Sequence, residues 1–322
     1  METWDTGDGE VGGEERHGSA KVRIQKAHLR VPHANASFSF TGAGRKAVHE
    51  LINQLPPSKS TEDAVAEICE LATARDVCLL FNAEQHAVQR GIDDWTLGAQ
   101  RKYNRATPGK AVVYGTYQAY LRSSPTILAQ HLAVAQREGF TLGVKLVRGA
   151  YLGSDPAHLF WSTKKETDRA FDEMADAVMR RKYNAMLKPM HDLEGNPPGF
   201  PKVSLVLASH NHVSVQKAMS VRQEQSASGE EKIDMVYAQL MGMADEVSCD
   251  LILAAKQNKG HNLSEKGDIK EPRAYKYFVW GTVSECLKYL VRRAEENKQA
   301  VVRAREGSVA LRSELVARVF GR

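Results

Sequence analysis

Along the chain, short apolar runs alternate with segments whose apolar residues recur every three to four positions. The runs are Ala36–Thr41, Val77–Phe81, Ala111–Gln118, Thr141–Val147, Val203–Ala208, Ile233–Ala238 and Tyr275–Trp280. Helical spacing is read over Arg45–Gln54, Ser60–Ala74, Ser124–Glu138, Lys164–Lys182, Val213–Gln223 and Thr282–Lys298. Strand, helix, strand in repetition predicts an α/β fold with a parallel sheet. The runs are almost continuously apolar, as strands covered by helices on the sheet faces should be. Seven such strands, with no dinucleotide-binding start, predict a distorted (β/α)8 TIM-like barrel that apparently lacks its first βα unit. An open edge would expose unpaired backbone groups. Self-association or additional N-terminal chain would cover it.

The pattern divides the 322 residues into a weakly structured tail at 1–35, a barrel at 36–300 and a helical extension at 301–322. The first twenty residues hold six acids, one arginine and five glycines. This is unlike an Arg-rich, acid-poor transit peptide, and no apolar core of a secretory signal is present. Three stretches interrupt the alternation. Lys188–Lys202, with four prolines, reads as an irregular excursion, Arg222–Lys232 as a solvated loop, and Ala255–Pro272 as a long polar loop.

Composition narrows the function classes. Lys and Arg number 44 against 39 Asp and Glu, a net charge of +5. That excess is too mild for a nucleic-acid binder and leaves anionic small molecules as plausible partners. No apolar run is long enough to span a membrane, though peripheral membrane contact stays open. Cys69, Cys78, Cys249 and Cys286 form no CxxC pair, so buried free thiols are expected rather than a disulfide framework or a zinc site.

Barrel chemistry sits at the C-terminal strand ends. The polar residues there are Asn82, Glu84 and Gln85, then Gln118, Lys145 and Arg148, His210 and Asn211, Gln239 and Tyr277. They are expected to converge on one mouth. Lys145 is notable because it interrupts the apolar run GVKLV, where a cation is costly unless paired. It could face an anion or an electron-rich ring, or snorkel to solvent. Gly149, after Arg148, would let the backbone approach a ligand. In the last helix Val283, Cys286, Leu287, Leu290, Val291 and Ala294 share one face, and Tyr289, Arg292, Arg293 and Glu296 the opposite one. Two adjacent guanidiniums suit a substrate carboxylate. The competing reading is a solvated face with an Arg293–Glu296 pair. His210 and His212 lack a convincing third ligand, so no metal site is expected. Thr41–Lys46 is glycine-rich without P-loop spacing and reads as a turn.

Together, YQAYL (117–121), KLVRGAYL (145–152), ASHN (208–211), QLMGMADEVS (239–248) and YKYFVWGTVSECLKYLVRRAEEN (275–297) resemble the proline dehydrogenase family in its fungal form. The resemblance runs from about Ala36 to Asn297, one motif per strand in the family's order. It implies FAD at the barrel mouth and oxidation of L-proline to Δ1-pyrroline-5-carboxylate by hydride transfer to flavin N5. A quinone acceptor and a mitochondrial location are implied as well. On the same ground Gln118, Lys145, Arg148, Gly149, Ala150, Ser209, His210, Asn211 and Glu296 would contact the cofactor. Arg292 and Arg293 would grip the proline carboxylate, and Leu240, Tyr277 and Tyr289 would wall the ring. Lys145, Tyr277, Arg292 and Arg293 are the catalytic candidates. Tyr277 matches a position linked to preference for proline over hydroxyproline. Ser39 stands where the family has a lysine, and Asn82 replaces the aspartate of its Asp-Ala-Glu. Two alternatives therefore stay open: a degenerate flavin- or ligand-binding homologue, and an oxidase of another cyclic imino acid.

Overall fold

The computed structural model describes residues 36–106, 108–190, 199–257, 272–278, 282–284, 286–287 and 290–291. Seven parallel strands lie in the sheet in sequence order, with helices between them. This is the α/β class and the strand order of a (β/α) barrel. The chain divides into two compact units. One holds the residues up to Ala106 with Ala111–Gly115, and the other Thr107–Lys110 with the residues from Thr116 onward.

The first unit contains β1 (Ala36–Phe38), α1 (Arg45–Ile52), α2 (Lys59–Ala74), β2 (Leu79–Phe81), α3 (His86–Tyr103) and the start of β3 (Val113–Gln118). β1 is shorter than its apolar run. The chain leaves the strand and forms a 3-10 turn over Phe40–Ala43, ended by Gly44 at φ +108°, a value that favours glycine. The turn drives Phe40 into the core, where its ring stacks on Phe81 at 4.6 Å. Leu51, Ile68, Leu79, Ile92 and Val113 complete that core. Gly91 lets α1 and α3 meet, since a Cβ there would lie 2.4 Å from the Leu51 carbonyl oxygen. Buried Asn104 ties α3 to β3. Its Nδ2 donates to the Val113 carbonyl at 2.8 Å, and its Oδ1 accepts from the Val112 and Val113 amides, each at 2.9 Å.

The second unit contains α4 (Ser124–Glu138), β4 (Leu142–Val147), α5 (Lys164–Arg180), β5 (Val203–Ala208), α6 (His212–Ser228), β6 (Asp234–Leu240), α7 (Asp245–Gln257) and β7 (Ala274–Tyr277). Thr163 and Glu166 form a reciprocal capping box that starts α5. Gly139, left-handed at φ +70°, ends α4. Leu142, Val144 and Leu146 alternate with Lys145 and are fully buried.

Several expectations need correction. Arg222–Lys232 is not a solvated loop, because α6 continues to Ser228. Arg222 and Gln225 are buried and donate to the carbonyls of Ile233 and Met179, each at 3.1 Å. These bonds let polar side chains lie inside. The cysteines are free, but only Cys69 is buried and Cys249 is exposed. Val283, Leu287, Leu290 and Val291 are each more than half exposed. Most of the Lys188–Lys202 and Ala255–Pro272 excursions lies outside the described residues.

Candidate active site

The site is built in the second unit, from the ends of β3 to β7. Register decides which residues share a face, since residues opposite each other in neighbouring strands point the same way. Lys145 lies opposite Val206, and Val206 opposite Val236. Ala238 lies opposite Tyr275, and Leu240 opposite Tyr277. With a period of two, Lys145, Val206, Val236, Ala238, Leu240, Tyr275 and Tyr277 form one face. Gln239 is on the other face, buried and accepting from the Ser248 hydroxyl of α7 at 3.1 Å. It therefore packs toward the helices, contrary to the expected convergence. Its Nε2 is a buried donor with no hydrogen-bond partner among the described residues.

Lys145 is partly buried, and desolvation pushes its amine down from 10.5 to about 8. The apolar run around it is the cause, because burial disfavours the charged form. His210, just past β5, accepts the Leu240 amide proton at Nε2 over 2.9 Å. That bond places the proton of the neutral ring on Nδ1. Gln118 is buried, and its Oε1 accepts from the Ala150 amide at 3.3 Å.

Arg148 is held on every side. Its Nε donates to Asp168 at 2.9 Å, one Nη to Ser209 at 2.6 Å and the other Nη to Ser214 at 2.7 Å. Its guanidinium lies 4.3 Å from the centroid of the Phe171 ring. The Ser214 hydroxyl in turn donates a hydrogen bond to Asp172, which also pairs with Lys217 at 2.7 Å. Burial would raise the Asp168 carboxyl. Hydrogen bonds from Lys164 and Arg148 outweigh it and hold the group below its ordinary value. Asn211 caps α6 by accepting from the Ser214 amide at 3.1 Å.

Gly149 has φ +145°, and a Cβ there would fall 2.0 Å from the Tyr120 ring. The close approach this glycine permits is that of Tyr120, whose amide also donates to the Arg148 carbonyl at 2.8 Å. Thus YQAYL and RGAY interlock. Asp168, Phe171, Asp172 and Ser214 were missed in the sequence, and their signal was the spacing of 168, 171 and 172 on one helix face. Tyr289, Arg292, Arg293 and Glu296 lie outside the described residues.

In the first unit Ser39 and Asn82 meet. Asn82 Nδ2 donates to Ser39 at 3.1 Å, and Ser37 donates to Asn82 Oδ1 at 2.7 Å. Glu84 holds the Thr41 amide and hydroxyl, and so fixes the glycine-rich turn rather than serving as a free acid.

The family model of proline dehydrogenase matches residues 10–306. The chain belongs to the proline dehydrogenase family. A probable mitochondrial proline dehydrogenase of Schizosaccharomyces pombe is 33% identical over 257 residues, covering 79% of this chain and 49% of that protein. A hydroxyproline dehydrogenase of Xenopus laevis is 30% identical over 257 residues, 80% of this chain and 49% of that protein. The chain spans about half the length of these curated relatives. Among solved structures, proline utilization A of Bdellovibrio bacteriovorus, inactivated by N-propargylglycine, aligns with TM-score 0.64 at 17% identity. It covers 88% of this chain and 29% of that one. The likeness establishes the shared fold.

Proposed function

We propose that this chain carries out the FAD-dependent oxidation of L-proline to Δ1-pyrroline-5-carboxylate, the first step from proline toward glutamate, in the mitochondrion and with a quinone as final electron acceptor. The observation that carries the reading is Lys145. A cation inside an apolar strand, with its amine lowered to about 8, shares a sheet face with Leu240 and Tyr277. Such a group is a strong candidate for chemistry.

The donor set suits a flavin dinucleotide. Arg148, Lys164 and Lys217 against Asp168 and Asp172 leave one positive charge for a diphosphate. Gln118 and the Ala150 backbone offer amide groups to the edge of a ring. When bound, FAD would accept the hydride from the proline ring carbon at its N5. Lys145 would place an ammonium beside that cofactor, and Arg148, Gly149, Ala150, Ser209, His210 and Asn211 would frame it, with Glu296 reaching its far end. Leu240, Tyr277 and Tyr289 would wall the substrate ring, and Arg292 and Arg293 would bind its carboxylate. The His210 bond to the Leu240 amide would then link the cofactor side to the substrate side.

A second reading, oxidation of hydroxyproline or another cyclic imino acid, is favoured by the relatives named hydroxyproline dehydrogenase. Tyr277 opposes it, because its bulk would crowd a ring hydroxyl. The test is the visible spectrum of the FAD-loaded protein, before and after anaerobic addition of L-proline. Bleaching by proline over hydroxyproline supports the first reading, and bleaching by hydroxyproline alone the second. A flavin band that neither bleaches would mark a binding homologue.

A further inference from the structure

We propose that Asp168 is a positioning residue, one arm of a clamp on α5 that aims Arg148 at the diphosphate of the cofactor. This rests on the flavin reading above. The clamp is a property of helix geometry. Residues 168, 171 and 172 stand at i, i+3 and i+4, on one face of α5. Asp168 takes the Arg148 Nε, Phe171 takes the flat face of the guanidinium, and Asp172 takes one Nη through the Ser214 hydroxyl. Ser209, just past β5, takes the other Nη. The plane is fixed by three in-plane hydrogen bonds and one stacking contact. Three of the five guanidinium N–H groups are used, and one remains on each Nη.

Charge argues that this is not simply a neutralising pair. Each carboxylate is shared with a lysine, Asp168 with Lys164 at 2.5 Å and Asp172 with Lys217 at 2.7 Å. Arg148 therefore keeps a net positive field while losing its rotational freedom. The Arg148 and Asp168 side chains are about one quarter exposed, at 23% and 26%. For a pair so placed the desolvation cost offsets much of the Coulombic gain, so its net contribution to stability is small. Holding a flexible side chain in its binding geometry lowers the ordering cost of ligand capture instead.

The test is titration of the purified apo chain with FAD, alongside its urea midpoint, for the wild type and three variants. Asp168→Ala should weaken FAD binding about three- to tenfold, the ordering cost of one long side chain. Asp168→Asn still offers Oδ1 to the Arg148 Nε and should stay within about twofold of the wild type on the same scale. In an Arg148→Met background, Asp168→Ala should change nothing further. If both Asp168 variants bind FAD more tightly, the carboxylate acts only as a repelling charge and the proposal falls. It falls equally if FAD affinity is unchanged while the urea midpoint drops. A wild-type chain that takes up no FAD would overturn the flavin reading and this proposal with it, whereas a binding wild type with unaffected variants overturns this proposal alone.

Discussion

Replacing Lys145 with methionine should stabilise the apo protein while damaging the site. The desolvated amine falls from 10.5 to about 8, so at pH 7 the folded state carries a charge that its surroundings disfavour. The gap, at about 1.4 kcal/mol per tenfold change in proton affinity, corresponds to a ceiling of about 3 kcal/mol. The sign follows from linkage. Between pH 8 and 10.5 the unfolded chain binds the proton more strongly, so wild-type stability gains with rising pH through that window. Below pH 8 the full penalty is present, and above 10.5 it is gone. Methionine is unbranched and only one heavy atom shorter, and it removes the charge. Urea unfolding of the two proteins at pH 7, 8, 9 and 10.5 isolates the effect, because every other titrating group cancels in the difference. The variant should be more stable at pH 7, by about 1–3 kcal/mol, and its advantage should shrink toward zero at the alkaline end. A variant that is less stable at pH 7, or an advantage independent of pH, would refute the desolvation argument. A lysine placed where it weakens the fold is a candidate for ligand contact.

Gly149→Ala should cost about 2–5 kcal/mol, from a left-handed φ and a Cβ driven into the Tyr120 ring; loss of soluble protein or a lower urea midpoint reads it out. Asn104→Ala removes four side-chain hydrogen bonds inside the first unit and should lower the urea midpoint by the equivalent of about 2–4 kcal/mol. His131 is partly buried against the Tyr117 hydroxyl, and desolvation pushes its ring down to about 4. The unfolded chain therefore binds that proton first as pH falls from 6.5 to about 4, and wild-type stability should drop across that range. A His131→Gln variant should lose this acid dependence in unfolding curves, and an unchanged pH slope would sink the assignment.

The apolar alternation exposed the fold because strands covered by helices cannot hide their composition. β5 and α4 fall at the boundaries their patterns predict. Misses occur where polar residues are satisfied by partners distant in sequence. Arg222 reads as solvated because nothing near it in the chain announces the Ile233 carbonyl that it reaches. Gln239 reads as a site residue because it ends a strand, yet alternation turns it toward Ser248. Lys145 was legible because a cation inside GVKLV contradicts its own neighbours. Asp168 was not, since an acid on an amphipathic helix is ordinary until the fold sets Arg148 beside it. Its carboxylate and the Phe171 ring become meaningful only through a residue twenty positions away.

The two departures from the family pattern illustrate the same point with opposite consequence. Taken singly, Ser39 for a lysine and Asn82 for an aspartate look like two lost charges. The structure joins them. Asn82 donates to Ser39 and accepts from Ser37, so the amide is used at both ends. A lysine and an aspartate sum to zero charge, and so do a serine and an asparagine, so replacing both leaves the charge of the first unit unchanged. Ser39, Asn82 and Ser37 thus satisfy one another's polar groups inside the first unit. Flavin bleaching by L-proline against hydroxyproline reads whether the pair changes what the protein binds.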